Sequence, residues 1–486
     1  MRWNNRLEEL FGEQHWRFWL FLICLLGLVL RLIQLEAKGL WFDELHSIIP
    51  TAPGNSIYSV IEYAKSDQPP LFFLSLHGWF QIFPYDEFYG KLLCVLFGVL
   101  GIPAVYFLGE ELGGRKVGLT GAAMTAPNIF HIYYSQELRF YSLLFLLACL
   151  SCLFFARIFR NPSRYNWFMF LILSVSILYT HYFGLVVVVA EAILFVILTI
   201  WLRRGWLFFV KGMICAVLTL FAFIPWLPNI LHDSEVNSFW IPPLDWYTLP
   251  DYFSRYFNGW WGLAMKVYFS WVLFAVFAIG IWALGKRITD KLQVITPTIV
   301  LGWILLTLAI PMIYSVVKIP LFLDRYTMIT LPAIIVTIAF GWNTIRPLAI
   351  RVFLLLVFIF FTWRADHRYF YAFKKPEYRE LVRTVIEKNT DKLPVLSNTV
   401  AWHCNYYFRA FHAGYEVIDS RNMDFMNLSR EFSRIWILNP RNDLSDAQRA
   451  ILESKYVKTT EIELEEVHAA LFVAMPNSPG STGINN

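Results

Sequence analysis

Pro70-Leu71-Phe72-Phe73-Leu74-Ser75-Leu76-His77-Gly78-Trp79-Phe80-Gln81-Ile82-Phe83-Pro84 is the stretch on which the topology of this chain turns. It is apolar, but it runs for only about fifteen residues, and a helix that crosses a bilayer needs about 20. It also holds His77 and Gln81. Length therefore predicts an interfacial or re-entrant helix. With 70–84 not crossing, the short basic connections all fall on one side. These are the N-terminus with Arg2, Arg6 and Arg17, then Arg115-Lys116, Arg157/Arg160/Arg164, Arg203-Arg204, Lys286/Arg287/Lys291 and Arg346. The positive-inside rule makes that side cytoplasmic. If 70–84 crossed, every later basic cluster would move to the side away from the N-terminus.

Outward from this stretch, apolar runs of bilayer length recur. They are roughly 16–34, 88–108, 116–134, 139–159, 166–181, 183–202, 206–229, 263–284, 293–316, 322–342 and 346–363, about eleven spans. The chain is 57% hydrophobic and only 16% charged, whereas soluble domains are about a quarter charged. Its 20 Trp suit interfacial belts. The fold class expected is a polytopic α-helical membrane protein, multi-pass in the plasma (inner) membrane. The formal charge of +5 is small, and no basic, aromatic-interleaved stripe lies outside the membrane regions, so nucleic acid is not a partner. Five of the six cysteines (Cys24, Cys94, Cys149, Cys152, Cys215) lie in apolar segments, which leaves no disulfide framework, and the Cys149/Cys152 pair reads as packing. The first span reads as a retained anchor, with no small-residue cleavage site at its end.

This orientation gathers unusual polar residues on the outer face. Gly39-Leu40-Trp41-Phe42-Asp43-Glu44-Leu45-His46-Ser47 follows the first span. A carboxylate pair against a bilayer face is costly, and a group that removes a proton from a hydroxyl would be wanted there. The plain alternative is an N-cap or interfacial acid. The same side holds Tyr134, Gln136, Glu137 and Arg139 between two spans, Lys91 near the outer end of the second span, His181 and Tyr182 in a tight connection, and Asp324-Arg325-Tyr326 opening a later span. Singly, each has a structural reading: Lys91 as a snorkelling cation, His181 as a packed histidine, Tyr182 as part of an aromatic belt, Glu137 and Arg139 as a local ion pair. Glu191, deeper in a span, is expected to bond a neighbouring helix. Their co-location suits a phosphate-bearing lipid and a hydroxyl nucleophile.

The tail after about residue 364 differs. Residues 376–389 read as an amphipathic helix, Pro394-Val395-Leu396 as a strand, Arg434–Leu438 as another, Ser445–Ser454 as a helix and Ala470–Ala474 as a last strand. Alternating strands and helices predict a small α/β domain. The organisation expected is 1–364 multi-span, 365–475 extracytoplasmic α/β, and 476–486 a disordered tail.

An ordered set of short stretches resembles the GT-C class of integral-membrane glycosyltransferases, in its protein O-mannosyltransferase-like and aminoarabinose-transferase-like branch. The stretches are Trp41-Phe42-Asp43-Glu44, Asp67-Gln68-Pro69-Pro70-Leu71-Phe72-Phe73-Leu74, Lys91 through Leu108, Gly114-Arg115-Lys116-Val117-Gly118, Tyr134-Ser135-Gln136-Glu137-Leu138-Arg139-Phe140-Tyr141-Ser142, Thr180-His181-Tyr182-Phe183-Gly184, and Arg325-Tyr326 with Pro332. The resemblance implies a polyprenyl-phosphate sugar donor and transfer on the outer face to a lipid, glycan or protein acceptor. It places Asp43 as the first-loop catalytic acid, Glu44 as its acidic neighbour, Glu137 as the acid of the second outer loop and Arg325 as a cation for the donor phosphate. Lys91 departs from the pattern: relatives more often carry Arg there, and an ammonium is a point charge where guanidinium is a fork.

Chemistry is compatible with that resemblance. Breaking the sugar C1–O bond leaves an extra negative charge on the polyprenyl phosphate, which cations stabilise; Arg325 leads, then Arg139 and Lys91. Asp43 is the base for the acceptor hydroxyl. His181, Tyr182, Tyr134, Gln136 and Tyr326 are the candidate substrate contacts. No cofactor is demanded; Asp43, Glu44 and Glu137 are able to hold a divalent metal, but no ligand spacing requires one. Nucleotide-sugar donors are disfavoured, because GxGxxG, GxxxxGK followed by Ser or Thr, and DxD are missing. The rival reading is a transporter or flippase of a lipid-linked glycan, and against it stand the lack of repeated halves and the outward clustering of polar groups.

Overall fold

The computed structural model describes residues 15–233, 241–260, 264–288 and 293–476. The chain divides into two units: Met1–Leu35 with Pro53–Ala372, and Glu36–Ala52 with Phe373–Asn486. The helix Leu348–Tyr371 runs through the expected boundary at 364, because Ala365, Asp366, Tyr369 and Phe370 continue its buried face. The expected disordered tail lies outside the described residues beyond Pro476.

The first unit is helical. Seven helices among the described residues are long and apolar enough to cross a membrane: Glu87–Gly113, Tyr141–Arg160, Gly184–Trp201, Trp206–Ile230, Tyr268–Gly285, Ile295–Val317 and Leu348–Tyr371. Each coincides with an expected span. The count of about eleven is not reached on this criterion. Trp16–Leu32 has 17 residues and Arg164–Leu178 has 15. The run 116–134 splits into Arg115–Thr125 and Ile129–Ser135. Pro127 disfavours helix in the residue before it, and Asn128 caps the second piece, its Oδ1 accepting from His131 N at 2.9 Å. The run 322–342 likewise starts as a 3-10 turn, Asp324–Ile329, before the helix Leu331–Thr344. Leu71–Phe80 has 10 residues, about 15 Å of helix against a hydrocarbon core of about 30 Å. It is too short to cross.

Packing in this unit uses small residues and buried polar bonds. A Cβ at Gly280 would strike the Thr337 carbonyl and one at Gly341 the Val276 carbonyl, so the helices Ala264–Gly285 and Leu331–Thr344 cross at backbone distance. Ser151 Oγ donates to Glu191, with its carboxylate oxygens at 2.8 and 3.0 Å, joining Tyr141–Arg160 to Gly184–Trp201 as expected of Glu191.

The second unit is α/β. Val395–Ser397 (β1), Val417–Asp419 (β2), Arg434–Leu438 (β3), Tyr456–Glu463 (β4) and His468–Ala474 (β5) form one sheet in the order β2-β1-β3-β5-β4. β1 pairs parallel with β2 and β3, while β5 pairs antiparallel with β3 and β4. Leu396, Ile435, Ile437, Ala470 and Phe472 pack with Leu444, Leu452 and Tyr456 in one core. Helices Tyr378–Lys388 and Asp446–Lys455 occur where expected. The segment Glu36–Ala52, holding the helix Phe42–Ile48, belongs to this unit.

Candidate active site

The helical unit brings most of the expected polar residues to one region, and the broken second segment explains how. Helix Ile129–Ser135 ends at Gln136, whose amide donates to the carbonyls of Arg31 (2.9 Å) and Ile33 (2.8 Å). Those are carbonyls at the end of the first helix, which have no partner within it. The Arg31 guanidinium is wholly buried and reaches the carbonyls of Gly27 and Ala126 at 2.8 Å, Ser135 Oγ at 3.2 Å and His131 Nδ1 at 2.6 Å. So the turn that follows is held at its root. It carries Glu137 and Arg139, both buried.

Arg139 faces Asp67 with both terminal nitrogens: Nη1 to Oδ2 at 2.9 Å and Nη2 to Oδ1 at 3.2 Å. This is a bidentate fork. The guanidinium also lies 4.8 Å over the Phe140 ring. Asp67 stands just before Pro69-Pro70, which open the short helix Leu71–Phe80, and Leu71 N donates to the Tyr179 carbonyl at 2.8 Å. The short helix is thereby pinned to the connection that holds His181.

His181 accepts from Phe183 N through Nδ1 at 3.0 Å. Its ring packs between Phe140 (4.6 Å) and Tyr326 (5.0 Å), within electrostatic reach of Arg139, Asp67 and Arg325. Arg325 lies in the 3-10 turn, 5.5 Å from the Tyr326 ring. Its neighbour Asp324 takes Arg255 Nη1 at 2.9 Å and Trp260 Nε1 at 2.6 Å. The Tyr141 hydroxyl feels the charges of Arg325, Arg139 and Glu137 together, and Tyr134 packs on the Tyr141 ring at 4.8 Å. Arg325, Arg139, Asp67, Glu137, His181 and Tyr326 thus form one cluster with aromatic walls.

Three expected residues sit differently. Lys91 does not snorkel: its side chain is buried and Nζ donates to the Leu35 carbonyl at 3.3 Å. Tyr182 points toward a separate apolar cluster of Val60, Phe73, Leu178, Phe223 and Trp226. Gln136 spends its amide on the backbone of the first helix, as above.

Asp43 and Glu44 lie in the second unit, at the second and third positions of the helix Phe42–Ile48. Glu44 is wholly buried; its Oε2 accepts from Trp41 N at 3.2 Å, as in a capping box, and sits 3.0 Å from Lys375 Nζ. The plain role of helix cap therefore falls to Glu44. His46, on the same helix, meets His403 nitrogen to nitrogen at 3.0 Å, with Phe42 4.2 Å from the His403 ring. Burial and the neighbouring His46 hold His403 far below the usual histidine range, at about 3. Among the described residues no three His, Cys, Asp or Glu side chains group in a way that could hold a metal.

Residues 67–228, which span Asp67, Glu137, Arg139 and His181, match the family model described as dolichyl-phosphate-mannose-protein mannosyltransferase. The structure resembles apo ArnT from Cupriavidus metallidurans, with TM-score 0.64 at 12% identity over 94% of this chain and 98% of that one. The fold is GT-C. ArnT from the same organism bound to undecaprenyl phosphate matches with TM-score 0.63, again at 12% identity with 94% and 98% covered. AglB from Archaeoglobus fulgidus, in complex with an inhibitory peptide and a dolichol-phosphate, matches with TM-score 0.56 at 11% identity over 98% of this chain and 75% of that one. A comparison with curated proteins finds no match. The resemblance to the GT-C class expected from the sequence holds.

Within this GT-C fold, sequence reasoning missed four residues that pair with or support the candidate residues. Asp67 was visible only as part of Asp67-Gln68-Pro69-Pro70; an acid immediately before a diproline that opens a short apolar helix was the available signal. Arg31 lies inside an apolar run and Arg255 in the Trp-rich loop, where only a partner far along the chain gives either a meaning. Lys375 lies 331 positions from Glu44 in sequence, and nothing local marks it.

Proposed function

We propose that this protein is a glycosyltransferase that moves a pentosyl or hexosyl group from a polyprenyl-phosphate donor to a hydroxyl of a lipid, glycan or protein acceptor in cell-envelope glycan assembly. The reading places it in the plasma membrane as a multi-pass protein, with the chemistry and the second unit on the extracytoplasmic side. The observation that carries it is the cation cluster of Arg325 and Arg139 around His181 and Tyr326, in a GT-C fold whose sequence matches a lipid-phosphate-mannose transferase family model. The undecaprenyl phosphate bound by ArnT and the dolichol-phosphate bound by AglB support the donor class.

In this reading the acceptor oxygen bonds to sugar C1 as the C1–O bond to phosphate breaks. The electron pair leaves with the polyprenyl phosphate, whose added charge Arg325 stabilises. Arg139 serves in second place, because its fork is already filled by Asp67. Lys91 adds a buried positive charge at the outer end of its helix. The acceptor proton passes to Asp43. Glu44 caps the turn bearing Asp43, and Glu137 is an acid of the second loop that orients acceptor or sugar. Tyr134, His181 and Tyr326 complete the proposed substrate contacts, with His181 and Tyr326 supplying an apolar wall, while Gln136 braces the turn from behind and Tyr182 packs away from it.

The test is a panel of undecaprenyl-phosphate pentoses and hexoses incubated in detergent with the purified protein and an extract of cell-envelope lipids, glycans and proteins as acceptor, with free undecaprenyl phosphate as the readout. Consumption of at least one donor is expected. Donor moved across proteoliposome bilayers, with no donor consumed, would instead identify a flippase.

A further inference from the structure

We propose that Lys375 is a positioning residue for the transfer reaction, acting through Glu44 on the helix turn that carries Asp43. The proposal rests on the assignment of Asp43 as base. The Lys375 ammonium is 3.0 Å from Glu44 Oε2, and the two side chains are 4% and 0% exposed. Charges this far from water persist only when paired. The same Glu44 oxygen accepts from Trp41 N at 3.2 Å, so one atom joins Lys375 to the cap of the helix. Asp43 lies inside that capped turn, at the second helical position.

The helix Phe42–Ile48 has seven residues, too few to fix its own geometry, since short helices are marginal without tertiary support. Its support comes from residues beyond 373. The Tyr407 hydroxyl accepts from Leu40 N at 2.7 Å and donates to the Leu40 carbonyl at 3.3 Å. Arg379 donates to the carbonyls of Glu36 and Ala37 at 3.0 and 3.1 Å. His403 meets His46 one turn beyond Asp43. Among these anchors Lys375 is the one that forms an ion pair with a side chain of the helix, and it acts on the turn that contains Asp43 itself. The α/β unit is therefore part of the machinery that aims the base, and a small displacement of such a group costs up to about a hundredfold in rate.

The full-length enzyme is assayed with the undecaprenyl-phosphate sugar that turns over in the panel above. Lys375→Met is expected to lower kcat by about tenfold to a hundredfold while donor KM stays unchanged. Glu44→Gln with Lys375→Met removes both charges and keeps an acceptor for Trp41 N, and is expected to recover most of the lost kcat. In an Asp43→Asn background, Lys375→Met should cause no further loss, because both act on one group. Wild-type kcat in folded Lys375→Met, or an equal further loss in the Asp43→Asn background, would overturn the proposal. If Lys375→Met does not fold, Lys375→Arg replaces it: reduced kcat at unchanged donor KM supports the inference and unchanged kcat overturns it. Normal turnover of Asp43→Asn would instead defeat the assignment of the base, a distinct result.

Discussion

The two units each bury an ion pair beside a residue assigned to the reaction, and they build it differently. Arg139 and Asp67 in the helical unit meet through two parallel bonds, with the carboxylate 20% exposed. Lys375 and Glu44 in the second unit meet as an ammonium 3.0 Å from Oε2, with the carboxylate wholly buried and shared with a helix cap. A fork fixes direction by its own geometry. A point charge fixes only distance, so direction in the second unit must come from additional anchors, and Tyr407, Arg379 and His403 supply them. On the proposed reading, the helical unit would hold an anionic donor and the second unit would hold the base steady.

That contrast predicts separable kinetic effects. The largest belongs to the leaving group: Arg325→Ala should lower transfer by about a hundredfold or more, and Arg325→Lys should recover only part, because the ammonium keeps charge and loses the fork. Rates at matched expression check this; near-wild-type rates for both variants would remove Arg325 from the site. Arg139→Lys comes next. It keeps the charge but breaks the bidentate pair with Asp67, and should destabilise the purified protein by about 2 kcal/mol and raise donor KM. Unchanged melting and KM would show that the fork matters little.

The smallest effect is on pH dependence. His403 is held near 3 in the fold, against about 6.5 when free. Between those values the unfolded chain binds the extra proton, so stability rises with pH across this window. It is fully present above about 6.5 and is lost as pH falls toward 3. Melting temperature should therefore drop between pH 7 and pH 5, and His403→Gln should flatten that drop. An identical pH profile in the variant would contradict the assignment.

Much of the helical unit was legible because a bilayer imposes length and apolarity on each span. Leu71–Phe80 was recognised as too short by the same rule. Breaks were harder: Pro127 and Pro332 interrupt apolar runs that hydropathy alone reads as continuous. In the second unit, β1, β3 and β5 showed as apolar runs, while β4, an edge strand carrying Lys458, Glu461 and Glu463, did not, since charged residues are how edges resist pairing. β2 has three residues, too few for any pattern. Helix Ala401–Ala410 mixes Trp402, His403, Tyr406 and Tyr407 with little periodicity. Among the candidate residues, Arg325, Arg139, Glu137 and Asp43 stood out as charges near expected span ends. Asp67, Lys375 and Arg31 did not, because their roles depend on partners distant in sequence.

Asp43→Asn probes the proposed base itself. It preserves size and removes the charge that would take the acceptor proton. The measurement is the single-turnover rate of undecaprenyl phosphate release from the active donor, for wild type and variant with matched melting temperatures. A fall of about a hundredfold or more is expected, with donor affinity unchanged. A folded Asp43→Asn enzyme turning over at the wild-type rate would contradict the assignment of the base.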